Sequence, residues 1–134
     1  MSKSDFSTET KEEAKERSKG KCEHCGRAGC DYDHGVKRSK YPPKVNGSWN
    51  CNFVCRKCHI EITNPDTAYK WKKYIKGIQK ALNRACIELE REDIKEVYAI
   101  FKDVVKRYDQ LYEDNYWKHF EKLYKDEYWQ EISS

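Results

Sequence analysis

Two Cys-x-x-Cys pairs, Cys22-Glu23-His24-Cys25 and Cys55-Arg56-Lys57-Cys58, stand about thirty residues apart in a chain of 134. A two-residue gap lets both sulfurs of a pair reach one ion, and two pairs supply the four soft ligands of a tetrahedral structural zinc site. Such a staple matters because the chain is short and polar: 37% of its residues are hydrophobic and 37% are charged. A core of that size needs help to hold together. Four Trp, ten Tyr and four Phe nevertheless set the chain apart from disordered segments, which are poor in aromatics. Seven cysteines is an odd number and no secretion signal is visible, so reduced cysteines on a metal are favoured over a disulfide framework. A redox pair would call for a βαβ context, which the pattern lacks. Cys30, Cys51 and Cys86 have no partner at ligand spacing and are expected to be small core residues. His24, inside the first knuckle, is expected to face solvent.

No stretch approaches the ~20 apolar residues that cross a bilayer, and no apolar segment follows Met1-Ser2-Lys3. The expectation is a cytoplasmic protein without a membrane partner. The net charge of +4 is unevenly spread. Residues 36–84 hold twelve Lys/Arg against Glu61 and Asp66, a local charge of +10, whereas residues 85–134 hold eight Lys/Arg against thirteen acids, a local charge of -5. The basic middle points to a polyanion. The acidic end reads as solvated helix faces.

A first helix opens at Phe6-Ser7, with Ser7 or Thr10 as cap, Thr10 and Glu13 as a capping box and Gly20 as its end. Residues 21–64 show no helical period; Gly26, Gly29, Gly35, Pro42-Pro43 and Asn46-Gly47 mark short strands and loops. Asn64-Pro65-Asp66 then reads as a helix start with Asn64 as cap. Trp71, Ile75, Ile78, Leu82, Ala85 and Leu89 form an apolar stripe. Asp93 and Glu96 read as another capping box, followed by the stripe Ile94, Val97, Phe101, Val104, Tyr108 and Leu111. A third short segment carries Trp117, Phe120, Leu123 and Tyr124. Matching stripes with a tight join predict a coiled-coil-like antiparallel hairpin, which could also mediate a homodimer. The aromatics Tyr98, Phe101, Tyr108, Tyr112, Trp117, Phe120, Tyr124 and Trp129 are expected mainly to pack. The fold class is α+β: a small zinc-stapled module over residues 1–64, followed by a helical hairpin or bundle over residues 65–134.

Between and beside the knuckles stand Asp33-His34, Asn50 and His59. In order along the chain this is Cys-x-x-Cys, Asp-His, Asn, then Cys-x-x-Cys-His, carried by "CEHCG", "DYDHGVKRS" and "WNCNFVCRKCH". The pattern resembles the HNH endonuclease family with its ββα-metal core, over residues 6–63. The resemblance implies a phosphodiester hydrolase acting on DNA, most simply duplex, and leaving 5′ phosphate and 3′ hydroxyl ends. It implies His34 as general base, Asp33 on the opposite face of the strand as a metal ligand, and His59 at the start of the α-element as the second ligand. Asn50 would hold the hairpin loop and orient the His34 ring.

The chain departs from the family in two places. Thr63 stands where some members carry a third metal-binding His, so water and phosphate would complete the shell, which suits catalytic Mg²⁺ or Mn²⁺, with Ni²⁺ as a further candidate. Lys37-Arg38-Ser39-Lys40-Tyr41-Pro42-Pro43 replaces the common Gly-Gly. Lys37, Arg38, Lys40, Lys44, Arg56, Lys57, Lys70 and Lys73 are the expected DNA contacts. Arg38 is also a candidate transition-state clamp, and Tyr41 and Trp49 border the site. Lys72, Lys76, Lys80 and Arg84 add to the charge of the first long helix. Two other classes fit the same residues: a non-catalytic zinc-knuckle DNA-binding protein, and a helical dimerisation or partner-docking module with a subordinate nuclease.

Overall fold

The computed structural model describes residues 5–40 and 44–133, without the side chains of Lys40 and Ser133. Tyr41 and the Pro42-Pro43 pair lie outside the described residues. The fold is α+β, with a two-stranded antiparallel sheet among helices.

Helix α1 (Thr8–Arg17) starts where Ser7 accepts a hydrogen bond from the Thr10 amide at 3.1 Å. It ends through Lys19 and Gly20, both at positive φ, with the Gly20 amide donating back to the Lys15 carbonyl at 2.9 Å. Strand β1 (Asp31–His34) pairs with β2 (Cys51–Val54), matching Asp31 to Val54 and His34 to Cys51. Alternation along β2 decides what each side meets. Cys51 and Phe53 pack with Phe6 and Ala14 from the α1 side, while Val54 packs with Cys22 and Cys58. Gly29 is required where the chain passes Phe53, since a Cβ there would lie 2.4 Å from the ring.

Helix α2 (Arg56–Thr63) falls inside the stretch that shows no helical period. Eight residues are too few for a periodic stripe, and the start signal is unconventional: the Cys55 sulfur accepts from the Cys58 amide at 3.4 Å. Helix α3 (Ala68–Glu88) is capped by Thr67, whose side chain accepts from the Lys70 amide. Asn64 instead closes α2, its amide donating to the Ile60 carbonyl. Helix α4 (Arg91–Tyr112) follows after Leu89 and Glu90; Asp93 sits inside its first turn rather than capping it. The expected hairpin forms, with Lys72 near the start of α3 lying 5.9 Å from the ring of Tyr108 near the end of α4.

Helices α5 (Tyr116–Glu121) and α6 (Glu127–Ser133) fold back on α4. The aromatics supply core: Tyr98, Phe101, Tyr108, Phe120 and Tyr124 are buried, with Trp117 and Trp129 packed against them. Leu111 and Leu123 depart from their stripes and are exposed. No described helix is long and apolar enough to cross a membrane.

One core cluster joins Val36, Trp49 and Ile62 to the buried faces of α3 and α4. Arg84 on α3 makes the polar counterpart of that packing. Its guanidinium donates to the Trp49 carbonyl at 2.8 Å, to Glu23 at 3.1 Å and to the Asn52 side-chain oxygen. The Asn52 amide in turn donates to the Gly77 carbonyl at 3.1 Å. Glu23 and Arg84 are both largely buried, so either alone would be an uncompensated charge. Arg84→Ala is expected to lower the unfolding free energy by about 3–5 kcal/mol in urea titrations. A loss under ~1 kcal/mol would contradict this role.

Candidate functional site

The sulfurs of Cys22, Cys25, Cys55 and Cys58 all lie within 4.8 Å of one another, and Cys25 approaches Cys55 to 3.6 Å. The first knuckle is shaped by backbone bonds: the Gly26 amide donates to the Cys22 carbonyl at 3.0 Å, with Gly26 at φ 78°. The second knuckle is the start of α2. Four thiols so placed form a site that can hold a metal ion such as zinc. Against the upward push of burial, backbone amides of Cys25, Cys55 and His24 draw the Cys22 thiol down to about 7. Lys73 donates to the Cys58 sulfur at 3.3 Å and to Glu61 at 2.7 Å.

His24 does not face solvent. Its Nε2 is buried without a hydrogen-bond partner among the described residues, and burial together with Lys80, Lys73 and Lys76 lowers its pKa to about 4. Of the remaining cysteines, Cys51 is buried and Cys86 half-buried, but Cys30 is exposed at the groove beside β1 rather than in the core.

A second constellation lies along β1. Alternation places Asp31 and Asp33 on the side facing α2, with Tyr32 and His34 on the side facing α1. Asp33 is buried and paired in register with Asn52; its Oδ1 lies 3.7 Å from His59 Nε2, and its Oδ2 is buried with no hydrogen-bond partner among the described residues. Burial pushes the Asp33 carboxyl up to about 6, against the attraction of His59 and Lys37. His59 is held from its other nitrogen, Nδ1, by Asp31 Oδ2 at 3.0 Å. Arg56 grips the same carboxylate at 2.6 and 3.1 Å, and chiefly through it the Asp31 pKa falls to about 2. A carboxylate on one ring nitrogen fixes which face of the imidazole remains for a ligand.

His34 stacks on Phe6 with ring centroids 3.9 Å apart, and its Nε2 lies 2.8 Å from Asn46 Oδ1. Burial, foremost, lowers its pKa, so the ring is neutral at physiological pH. The side-chain partner of this ring is Asn46 rather than Asn50. The Asn50 amide is fully buried and spent on backbone: it accepts from the Val36 amide at 2.7 Å and donates to the Val36 and Val45 carbonyls at 2.9 and 3.0 Å. Asn46 shows in sequence only as half of an Asn-Gly turn signal. Asp31 is visible as a carboxylate two residues from Asp33, a spacing that puts both on one face. Phe6 carries no sequence signal for this role.

Asp31, Arg56 and His59 line an open groove of about 580 Å³, with Asp5 and Lys11 on its other wall. Among the expected DNA contacts, Lys37 lies over the Tyr74 ring at 4.7 Å and donates to the Thr63 carbonyl at 3.3 Å. Arg38, Lys44 and Lys57 are exposed, Arg56 is engaged by Asp31, and Lys70 pairs with Asp66 at 2.8 Å. Lys40 is described in its backbone alone. Trp49 is buried, its indole donating to the Lys44 carbonyl at 2.9 Å.

Comparison with protein-family models, curated proteins and solved structures finds no match to the chain.

The Asp33 carboxyl has a direct consequence for stability. Its folded pKa near 6 lies above the usual 3.8, so the folded protein keeps a proton that the unfolded chain loses. Stability on this account falls as pH rises from about 4 to about 6, and the loss is complete above that window. Asp33→Asn, measured without added divalent cation, is expected to raise the melting temperature near pH 7 and to leave it almost unchanged near pH 4. Equal shifts at both pH values would contradict the burial of this charge.

Proposed function

We propose that the protein is a metal-dependent HNH-type endonuclease that hydrolyses phosphodiester bonds in DNA. The observation that carries this reading is the buried, orphaned carboxylate oxygen of Asp33, set opposite His59 Nε2, with the neutral imidazole of His34 on the next residue. An unpartnered buried carboxylate costs stability unless a ligand completes it. A binding scaffold has no use for that cost, which weighs against the non-catalytic reading.

The donor set fits a divalent ion that keeps most of its water: one carboxylate oxygen and one imidazole nitrogen, as Mg²⁺ or Mn²⁺ accepts. Bound there, the ion would offset charge on the scissile phosphate and on the departing 3′ oxygen. Asp31 holds the His59 ring by Nδ1, which leaves Nε2 as the ligand atom. At His34 the Asn46 carbonyl oxygen accepts from Nε2–H, so Nδ1 is the nitrogen with a free lone pair. That nitrogen takes a proton from the attacking water, and the Phe6 ring keeps the imidazole in plane. Asn50 acts at a distance from the chemistry, pinning the loop that carries Asn46. Among the residues whose side chains are described, Arg38 and Lys44 are exposed on the segment that follows His34, where backbone phosphate would pass.

The four thiols take structural Zn²⁺, which ties the loop before β1 to the start of α2. Removing zinc with a strong chelator, or replacing Cys55 by Ala, is expected to abolish cooperative thermal unfolding of the intact chain, since binding energy here is folding energy. A metal-free chain that melts as the parent does would rule out this role. His34→Ala is expected to lower plasmid cleavage in Mn²⁺ by roughly 10²-fold or more, with zinc content and DNA affinity near those of the parent. Undiminished cleavage by this variant would end the assignment.

A further inference from the structure

A second cleft, of about 470 Å³, opens between α3 and α5, away from the Asp33–His59 pair. Its walls carry Lys72, Lys73 and Lys76 from α3 and His119 from α5, with no carboxylate among the lining residues. Two of these cations have different fates. Lys73 is committed to Glu61 and to the Cys58 sulfur. Lys76 is exposed and makes no hydrogen bond or ion pair among the described residues.

Lys72 is held in place by aromatic faces rather than by a strong counter-charge. Its ammonium lies 5.0 Å from the Tyr116 ring and 5.9 Å from the Tyr108 ring, while its nearest acid, Asp114, stands 3.9 Å away and is itself bonded to the Tyr108 hydroxyl. His119 stacks on Tyr116 with the two rings only 8° from parallel, and is exposed. Tyr69, on the opposite wall, is 65% exposed, with the Lys73 ammonium 5.0 Å from its ring. Cations left without full compensation attract phosphate, and exposed π faces attract bases that lack stacking partners of their own. A duplex offers the first of these groups but hides the second.

We infer that the α3–α5 cleft binds an unpaired nucleic-acid strand, with Lys72 and Lys76 on its phosphates and Tyr69 and the Tyr116–His119 pair against its bases. The choice of nucleic acid among polyanions rests on the nuclease reading. The cleft would hold the strand on the far side of α2 from the Asp33–His59 pair, since Glu61 of α2 meets Lys73 on one side and His59 of the same helix meets Asp33 on the other.

The test is fluorescence anisotropy with short labelled oligonucleotides, in a His34→Ala background so that no chelator is needed and the thiol cluster keeps its metal. The Lys72→Gln/Lys76→Gln double variant is expected to bind a single strand about tenfold more weakly. It should also reduce the slope of log affinity against log salt by about 1.4, at ~0.7 for each phosphate no longer neutralised. Blunt duplex of the same length should lose less.

A Lys95→Gln/Lys106→Gln variant removes the same charge from exposed positions on α4 and should bind within about twofold of the parent. Unchanged affinity in the cleft variant would overturn the inference. So would an equal loss in the α4 control, which would mean a diffuse field, or an equal loss on duplex, which would mean that no base is read. Cleavage is assayed separately on the parent chain. A parent that cuts nothing yet shows this binding pattern would overturn the nuclease reading and leave the strand site standing.

Discussion

The convergence of four thiols is the constraint on which the small sheet and its site depend. It joins residues 22–25 to residues 55–58, segments that a polar chain has little apolar surface to hold together. Cys55 serves twice, as a sulfur of the cluster and as the cap that starts α2. Because α2 begins at a fixed point, His59 emerges on the turn that faces β1. The first knuckle is likewise tied to β2, with the Glu23 amide donating to the Phe53 carbonyl at 2.9 Å and its carboxylate accepting from the Phe53 amide. Strand, knuckle and helix are thus positioned by one cluster.

Within that frame, the placement of the titratable groups on β1 follows from the two-residue alternation of a strand. Asp31 and Asp33 face α2 and share one imidazole, yet their environments differ. Asp31 is gripped by Arg56 and stays ionised, while Asp33 is buried, with its Oδ2 unpartnered among the described residues, and holds its proton more tightly. Pairs of like groups pushed apart in acidity are a mark of functional sites. The neighbouring His34 points to the other side, where Phe6 and Asn46 fix its plane and its free nitrogen.

The parts legible in the sequence are those with strict spacing. The cysteine pairs and the two long apolar stripes correspond to the thiol cluster and to the α3–α4 hairpin. Boundaries are less legible where two neighbouring residues are equally suited to one position. Asn64 and Thr67 both fit a helix start, and only the path of the chain after α2 selects Thr67. Helix α2 leaves no periodic or capping signal of its own, and only the family resemblance implies it, because its cap is a sulfur and its length spans barely two turns. The least legible features are interactions across long separations. Nothing local marks Asn46 as the partner of His34, Phe6 as its stacking surface, or Arg84 as an interior cation rather than one more member of a basic face. His24 departs from its expected exposure for the same reason, since what buries it is α3, far along the chain.

Arg84 reaches its carboxylate partner across 61 residues. A ribosome releases the chain from its amino end, so Glu23, Asn52 and the Trp49 carbonyl emerge well before the guanidinium that they share. Until then water is their only partner for those bonds, and β2 lacks one of its flanking supports. The thiol cluster closes a loop half as long and can form first. Chain order therefore imposes a sequence on assembly: the turn that carries the thiols leads, and the face that braces the strand arrives only with α3.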